Sequence, residues 1–288
     1  RLYIKFIAVI FIVTFISIYF DYKRFLDTPL NIDTSFIFTI ESGMSFKDLN
    51  KKIESYHILD RPYYFEFYAR YKGHAKKVQS GEYQLSPGLM PREIISMFVS
   101  GDVVQHSITL VEGWTYGDIF AELYSNKILI KKLKYSSHKA ACEILMTNKN
   151  VLTSDLTVLE VCSSYPPRVD GLFFPDTYYF TRGTSDIDIL RRAAERLRNI
   201  LITEWSGRGI DLPYKNPYEA LIMASIIEKE TALAAERAMI SGVFVRRLQK
   251  KMKLQTDPTV VYAMGDQYDG DIKKKDLNID SPYNTYRY

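Results

Sequence analysis

The chain has 288 residues, of which 47% are hydrophobic and 25% are charged, so it has enough apolar material for a core and about two domains, and it is not a disordered chain. The net charge of +4 is small, and the Lys and Arg residues are scattered or stand in short runs, which does not indicate nucleic acid as a partner. The four histidines lie far apart in the sequence, with none at the spacing of a zinc site, so we expect no metal ion.

The first predicted element is a membrane-spanning helix at residues 2–20, which are apolar with few interruptions and reach the length that a helix needs to cross a bilayer. A cleaved signal peptide is the alternative, but the residues that follow, Asp21 to Phe25, are bulky and charged and do not resemble a cleavage site. We therefore assign residues 1–20 to a membrane anchor. Basic residues flank both ends of this stretch, so charge leaves the orientation open.

Residues 38–59 and 108–129 align with each other at a constant offset and without gaps, which indicates an internal repeat. Each copy predicts a short strand, a glycine turn and a helix. The two helices open with Ser45 and Thr115, each followed three residues later by Asp, which is similar to a capping box. We therefore expect an α+β N-terminal region of small strand-and-helix modules over residues 35–130.

The first copy of the repeat resembles a LysM-type module, a small fold associated with binding polymers that contain N-acetylglucosamine. A structural spacer without a ligand is the alternative, and the capping residues do not decide between the two. Residues 131–167 are more polar and irregular, and we interpret them as a connecting region before a catalytic region at 168–288. They include Cys142 and Cys162, which can form a disulfide outside the cytoplasm, although their spacing leaves the pairing open.

An aromatic segment at residues 171–180 lies near the start of the predicted catalytic region. Phe174 and Asp176 in this segment are candidates for lining a sugar groove, and a buried strand and turn is the alternative interpretation. Residues 187–205 then show the periodicity of an amphipathic scaffold helix.

The next predicted helix begins with Asn216 as its cap and Pro217 at the first helical position. From Ala220 to Ile227 only Ser225 is polar. We therefore expect a central helix that is buried on nearly all sides, inside a mixed α/β catalytic domain.

Three ionisable residues, Glu228, Lys229 and Glu230, follow this apolar stretch. A carboxyl group held in a partly desolvated place is a competent general acid near neutral pH. Because residues three and four apart are neighbours on a helix, Glu230 stands over two isoleucines, the larger apolar surface, which favours it as the acid. The alternative is a salt bridge at the helix end among Glu228, Lys229 and Arg237.

Several segments are distinctive in combination. They are ASIIEKET at 224–231, Glu236-Arg237, VFVRRL at 243–248, LQTDPTVVY at 254–262 and YNTY at 283–286, with residues 80–83, 111–114 and 171–178 upstream. In these segments the chain resembles a known family, the endolytic murein transglycosylases of the MltG/YceG type. The resemblance covers nearly the whole chain, and the EKET and QTDPT segments at this spacing are highly specific.

The resemblance implies that Glu230, the second glutamate of Glu-Lys-Glu, is the catalytic residue and that neither a metal nor a cofactor is needed. It also implies one N-terminal span in the bacterial cytoplasmic membrane, with the catalytic part on the outer, periplasmic side and nascent peptidoglycan strands as the substrate. Peptidoglycan synthases and division proteins are further expected partners. Family members continue beyond the YNTY segment, so we expect the catalytic region to be incomplete at its C-terminal end.

A lytic transglycosylase, as the resemblance implies, works with one carboxyl group, whereas most glycosidases use two. Glu230 would protonate the glycosidic oxygen and then deprotonate the 6-hydroxyl of muramic acid, which closes a 1,6-anhydro ring and terminates or trims a growing strand. The side chains that we expect to bind or orient the sugar are Glu228, Gln255, Thr256, Asp257, Tyr283, Asn284 and Tyr286, with Phe174 and Asp176. Those from residue 255 onwards have an alternative interpretation as turn residues or core.

Two other functions are compatible with the sequence. One is a hydrolase of the same polymer in which Asp257 or Asp176 is the second carboxylate. The other is a non-enzymatic, membrane-anchored scaffold that binds glycan or division proteins through the repeated modules.

Overall fold

The structure is a computed structural model that describes residues 2–134, 137–147, 161–163 and 168–288. In these ranges the chain is helix-rich and mixed α+β, as predicted, with an apolar helix near its N-terminus. Two compact units are present: the first is Arg1–Ser107 with Tyr179–Gly183, and the second is Ile108–Tyr178 with Thr184–Tyr288. The predicted connecting region at 131–167 lies partly outside the described residues.

Helix α1 (Leu2–Leu26) is, among the described residues, the one helix that is long and apolar enough to cross a membrane. Its side chains from Tyr3 to Phe20 are exposed, whereas Phe25 and Leu26 are buried in the core of the first unit. An apolar helix without protein around it fits a single-pass membrane anchor. The helix continues beyond the predicted end at residue 20 because its last turn packs against protein.

The first unit contains a two-stranded antiparallel sheet in which β1 (Phe36–Ile40) pairs with β2 (Gly81–Leu85). Helices α2 (Phe46–Ser55) and α3 (Pro62–Tyr71) lie between the two strands in sequence, and α4 (Pro91–Ser100) follows β2. The order is therefore strand, helix, helix, strand, helix.

Aromatic rings fill the core of the first unit. Phe38 of β1 lies opposite Tyr83 of β2, and both rings contact Phe98 of α4, at centroid distances of 6.0 and 4.8 Å. These three side chains and Phe65 of α3 are fully buried. Burial of such large apolar surfaces is the main stabilising contribution to a small unit of this kind.

The helix starts that the repeat predicts are confirmed. Helix α2 begins after Ser45, whose side chain accepts a hydrogen bond of 3.2 Å from the Asp48 N–H. Helix α5 (Tyr116–Ser125) begins after Thr115, which forms a complete capping box with Asp118. These local contacts explain the helix starts, while the resemblance of this region to a LysM module stays a prediction.

Further strands and helices follow in the described residues. Strands β3 (His106–Thr109) and β4 (Thr177–Phe180) form a second two-stranded sheet. Further helices with described bounds are α6 (His138–Thr147), α7 (Asp186–Ser206), α8 (Pro217–Glu230), α9 (Ala234–Gln249) and α10 (Asp257–Met264), and short 3-10 turns follow at Gly265–Gln267 and Asp276–Asn278. The two cysteines, Cys142 and Cys162, form a disulfide with their Cα atoms 5.5 Å apart, which settles the pairing that the sequence left open.

Helix α8 differs from the predicted central helix, and burial on nearly all sides is not confirmed. Its buried side chain is Met223, which packs with Phe244 and Leu254 in a small cluster. Ala224 is exposed, and Ile222 is 43% exposed. Helices α7, α9 and α10 contact α8, but they leave part of its surface uncovered, because apolar composition alone does not supply a packing partner for every face.

Candidate active site

Glu230 is the last residue of α8, and its side chain is exposed rather than held in the desolvated place that the sequence suggested. The Oγ1 hydroxyl of Thr256 donates a hydrogen bond of 2.5 Å to Oε2 of Glu230. Thr256 is only 3% exposed, so a buried hydroxyl holds one oxygen of an accessible carboxylate. Within the described parts of the chain, no side chain or backbone donor binds the other oxygen, Oε1.

Thr256 occupies the N-cap position of α10, but its side chain makes no capping hydrogen bond. Threonine at this position ordinarily accepts a bond from an amide of the first helical turn. Instead, its N–H donates to Oγ1 of Thr285 at 3.2 Å, and its carbonyl accepts from Oγ1 of Thr259 at 2.7 Å. The backbone of Thr256 is therefore held on both sides, and its hydroxyl is directed to Glu230.

Asp257 is a second exposed carboxylate beside Thr256. The phenol of Tyr286 donates a hydrogen bond of 2.6 Å to Oδ1 of Asp257. This bond, together with burial and the negative charges of Asp257 and Glu230, raises the pKa of Tyr286 above its usual value. The phenol thus forms a hydrogen bond with Asp257 and interacts electrostatically with Glu230. We call Glu230, Thr256, Asp257 and Tyr286 the carboxylate cluster.

Asn284 and Gln255 flank the carboxylate cluster in different ways. Asn284 is fully buried, and its Nδ2 donates to the carbonyls of Leu277 and Ile279 at 3.0 and 2.8 Å. Its Oδ1 accepts a bond of 3.0 Å from the Tyr286 N–H, so it holds the segment that carries the phenol. Gln255 is exposed and has a φ of +50°, a conformation that is uncommon for a residue other than glycine.

Tyr283 lies outside α10 but packs against Tyr262, which is on that helix. It is 40% exposed, and its ring meets that of Tyr262 edge-on at 4.9 Å. The Arg168 guanidinium lies over both rings, 5.0 and 5.7 Å from their centroids. Tyr262 also donates a bond of 2.7 Å to Oδ2 of Asp170, and burial, with the charge of Asp170, raises the pKa of this phenol.

The two glutamates at the end of α8 have different surroundings. Glu228 forms an ion pair with Arg237, with Oε2 and Nη2 3.0 Å apart, which is the salt bridge that the sequence offered as an alternative, without Lys229. The Lys229 amine lies beside the Gly113 turn, where a Cβ added to Gly113 would come within 3.4 Å of Nζ. In the part of the chain that the structure describes, no Lys or Arg lies within ion-pair distance of Glu230.

Phe174 and Asp176 lie against α7. Asp176 is paired with Arg196 of α7 at 2.5 Å, and the guanidinium of Arg196 lies 5.4 Å from the centre of the Phe174 ring. The Phe174 N–H donates to the carbonyl of Ala193, also on α7. No recorded contact among the described residues joins this pair to the carboxylate cluster, and the buried Tyr178 nearby agrees with a strand and turn.

Sequence reasoning missed Thr259 and Thr285, which support Thr256, and Arg168, Asp170 and Tyr262, which support Tyr283. Thr285 lies inside the YNTY segment, but only the fold reveals that its hydroxyl is 2.9 Å from that of Thr259. No group of three or more His, Cys, Asp or Glu suited to a metal ion occurs among the described residues. An exposed carboxyl group with one oxygen held and the other open is suited to transferring a proton to a ligand.

Known proteins are similar to this chain over most of its length. The YceG-like family model matches residues 38–288. The chain is 32% identical over 276 residues to the endolytic murein transglycosylase of Bacillus subtilis, a match that covers 93% of this chain and 74% of that protein. It is 25% identical over 296 residues to the endolytic murein transglycosylase of Streptococcus pneumoniae strain R6, which covers 93% of this chain but only 52% of that protein.

Among solved structures, the crystal structure of a yceG-like protein from Listeria monocytogenes is 28% identical, with a TM-score of 0.46 and coverage of 88% of this chain and 83% of that one. The family match extends over most of the chain and includes the carboxylate cluster. The chain therefore belongs to the YceG-like family.

Proposed function

We propose that this chain is a lytic transglycosylase that cleaves peptidoglycan glycan strands endolytically, with Glu230 as its single acid and base. The activity is supported by the relatives named endolytic murein transglycosylase. The observation that carries the assignment to Glu230 is the hydrogen bond from the buried Thr256 hydroxyl. This bond orients one oxygen of an exposed carboxyl group and leaves the other open to a substrate.

The reaction proceeds in two proton transfers. Protonated Glu230 first gives the proton on Oε1 to the glycosidic oxygen, while the bond from that oxygen to C1 of muramic acid breaks. The carboxylate then takes the proton of the 6-hydroxyl of the same muramic acid, and O6 bonds to C1. The product ends in a 1,6-anhydro ring, no water is consumed, and proximity replaces an activated water because the nucleophile is part of the substrate.

Thr256 acts on the carboxyl group rather than on the sugar, since it is 3% exposed. The hydroxyl can donate to Oε2 both when the carboxyl group is ionised and when it carries its proton on Oε1, so it can hold Glu230 in both halves of the cycle. The exposed Gln255 and Asp257, with Tyr286 and the ring of Tyr283, are the side chains that we assign to sugar contacts.

The other candidate residues have supporting roles in this proposal. Asn284 positions Tyr286 through the backbone, and the ion pair of Glu228 with Arg237 fixes the end of α8. Asp176 is already paired with Arg196, so we place it, with Phe174, outside the site.

Hydrolysis with two carboxylates is the second candidate function. One observation favours it: the Tyr286 phenol bonds to Asp257, and the charges of both Asp257 and Glu230 raise the pKa of that phenol, so the two carboxylates lie near each other. In this mechanism Asp257 would activate a water, and the product would have a reducing end instead of an anhydro ring. The non-enzymatic scaffold has no comparable observation in its favour.

We also propose that α1 spans the bacterial cytoplasmic membrane and that the rest of the chain trims or terminates nascent strands on the outer side, near peptidoglycan synthases and division proteins. The outer side is supported by the disulfide between Cys142 and Cys162. Disulfides persist in oxidising compartments and are rare in the cytoplasm.

The test compares Glu230→Gln with Glu228→Gln in the full chain in detergent, acting on purified peptidoglycan. Glu230→Gln keeps the size of the side chain but removes the transferable proton, and it should slow cleavage by roughly 10²–10⁴-fold. Glu228→Gln removes only an ion pair whose arginine is 42% exposed, so its effect should be much smaller. The rate is followed by release of soluble fragments, and mass spectrometry of the fragments identifies anhydro ends.

Three outcomes would contradict the proposal. Unchanged cleavage by Glu230→Gln would exclude Glu230 as the acid. An equal loss in both variants would mean that the end of α8, rather than one carboxyl group, is needed. Products with reducing ends would favour hydrolysis.

A further inference from the structure

A row of exposed aromatic side chains runs along α3. Tyr63, Phe67 and Tyr71 are spaced four residues apart and therefore share one face of the helix, and they are 59%, 56% and 74% exposed. The opposite face carries Phe65 and Ala69, which are fully buried in the core of the first unit. Because the inner face already provides the packing, the outer row is not needed for the core, and a contiguous exposed apolar surface indicates a contact with something outside the unit.

Helix α3 contacts the part of α1 that follows its exposed apolar stretch. Asp21 of α1 forms an ion pair with Arg61, directly before α3, and accepts a bond of 3.0 Å from the Tyr64 phenol. The Tyr22 ring contacts those of Tyr64 and Phe67, at 5.6 Å each. The contact therefore begins within two residues of Phe20, where the exposed apolar stretch of α1 ends, and it continues to Phe25, whose ring lies 5.7 Å from that of Tyr64.

That level corresponds to the surface of a bilayer, if α1 is the membrane span proposed above. From Tyr3 to Phe20 a helix rises roughly 27 Å at about 1.5 Å per residue, close to the ~30 Å thickness of the hydrocarbon layer. Asp21 is the first acidic residue of α1, and Tyr22 lies roughly one residue rise beyond it. The contact with α3 is thus at the depth where hydrocarbon gives way to lipid headgroups.

The aromatic row is continuous with α1. The Tyr71 ring stacks on Phe67 with centroids 6.0 Å apart and an angle of 12°, and Phe67 contacts Tyr22. Aromatic rings, above all those of tyrosine and tryptophan, are enriched at the headgroup level because they are apolar with a polar edge. A row of this kind beginning at the end of a membrane span is typical of an interfacial surface.

Basic residues border the same surface. Lys23 and Arg24 lie in the last turn of α1, and Lys72, Lys76 and Lys77 are exposed directly after α3. The Lys72 amine lies 6.0 Å from the centre of the Tyr71 ring. In the described ranges none of these three lysines lies within ion-pair distance of an acidic side chain, so their charges are available to anionic lipid headgroups.

We propose that the aromatic face of α3 lies in the headgroup layer of the bilayer that α1 enters, so that the first unit is held against the membrane at two places. This inference rests on the proposed membrane span of α1 and not on Glu230. The occupant of the surface is lipid. A glycan strand stacking on the same rings is the competing occupant that the experiment must exclude.

The experiment measures the immersion depth of spin labels on the full chain in liposomes of phosphatidylcholine and phosphatidylglycerol. Because Cys142 and Cys162 are the only cysteines in the sequence and are paired, Tyr71→Cys introduces a single free thiol for a nitroxide. Tyr56→Cys is the matched control, since Tyr56 is 51% exposed in the same unit but packs on Phe36 and Phe38 of β1. We expect the Tyr71 label to have a several-fold higher ratio of collisions with oxygen to collisions with a water-soluble nickel chelate.

Equal collision ratios at the two labels, in chains that have entered the liposomes, would overturn the inference. Chains that fail to enter the liposomes would instead contradict the proposed span. Substituting Tyr63, Phe67 and Tyr71 of the aromatic row by serine leaves the buried face of α3 intact, and this variant should bind purified peptidoglycan as the wild type does. If this variant loses peptidoglycan binding and the nitroxide at position 71 has the collision ratio of a label in water, the aromatic row is a sugar-binding surface. That result would also overturn the inference.

Discussion

The core of the first unit and the region around Glu230 are stabilised in different ways. The first is a large cluster of apolar side chains in which four aromatic residues have no exposed area: Phe38, Phe65, Tyr83 and Phe98. Around Glu230, helices α8 and α9 share a small cluster in which Met223, Phe244 and Leu254 are 4–9% exposed. The polar side chains there are held mainly by hydrogen bonds, from Thr256 to Glu230 and from Tyr286 to Asp257.

The difference shows how stability and chemistry are divided in this chain. Apolar burial stabilises without leaving reactive groups accessible, whereas an acid must remain open to its substrate. A net contribution of about 1 kcal/mol per hydrogen bond is enough to orient a carboxyl group, although it stabilises the fold much less than a buried aromatic ring does. We therefore expect substitutions in the two regions to change different measurable properties.

The largest expected effect on stability is that of Phe98→Ala. Removing this fully buried ring should lower the free energy of unfolding of the first unit by about 3–5 kcal/mol. Phe244→Ala is the matched substitution near Glu230, and its effect should be smaller because its cluster is smaller and partly exposed. Hydrogen exchange of the full chain in detergent, read separately for α2–α4 and α8–α10, measures both effects.

In the wild type, amides of α2–α4 should exchange more slowly than those of α8–α10, since local stability follows the density of buried contacts. Equal protection of the two regions would show that the region around Glu230 is as strongly packed as the aromatic core, contrary to the distinction made here.

A smaller effect, on catalysis rather than stability, is expected for Thr256→Val. The substitution keeps the shape of the side chain and removes the hydroxyl, and because that hydroxyl caps no helix, the fold should be little affected. A misoriented carboxyl group should lower kcat by roughly 10–100-fold, with KM nearly unchanged. Thr256→Ser retains the hydroxyl and should recover most of the activity.

Steady-state kinetics on soluble glycan strands measure both Thr256 variants. A change confined to KM would mean that Thr256 contacts the sugar, as the sequence first suggested. Failure of Thr256→Ser to recover activity would mean that the methyl group, and not the hydroxyl, matters at this position.

The sequence predicts those features that depend on neighbouring residues. Ser45 with Asp48, Thr115 with Asp118, and Asn216 with Glu219 lie three residues apart, and each cap is found at its predicted place. The candidate active site, by contrast, depends on contacts between distant segments. Thr256 and Glu230 are 26 residues apart, and Tyr262 and Asp170 are 92 apart, so no local pattern identifies these partners.

The burial of α8 could not be predicted for a related reason. Its apolar composition gives the helix the capacity to be buried, but exposure is decided by which helices pack around it. From the sequence, Glu230 is favoured over Glu228 by that expected burial and by the family resemblance. With the burial not confirmed, the physical distinction is instead that Glu228 is paired with Arg237 and Glu230 receives the Thr256 hydroxyl.

The smallest expected effect concerns a buried carboxylate of the first unit that lies outside the aromatic core. Glu82 of β2 is 5% exposed, and it bonds to Nε2 of His106 at 2.7 Å and to Nε of Arg182. Burial by itself would raise the pKa of Glu82, but the bonds to His106 and Arg182 outweigh it and hold the pKa below its usual value.

A carboxyl group whose pKa is lower in the folded state contributes stability above its unfolded pKa, and that contribution is lost as the pH falls through the folded value. With an unfolded value of about 4.3, the first unit should lose stability as the pH falls below about 4. Glu82→Gln should be less stable by about 1 kcal/mol at pH 7, and it should lack this acid-dependent loss. The difference is measured by urea unfolding of the wild type and of Glu82→Gln between pH 3 and 7, with hydrogen exchange of the β2 amides as the readout. Parallel pH profiles would show that the partners of Glu82 do not favour its ionised form, and that the first unit depends on apolar burial alone.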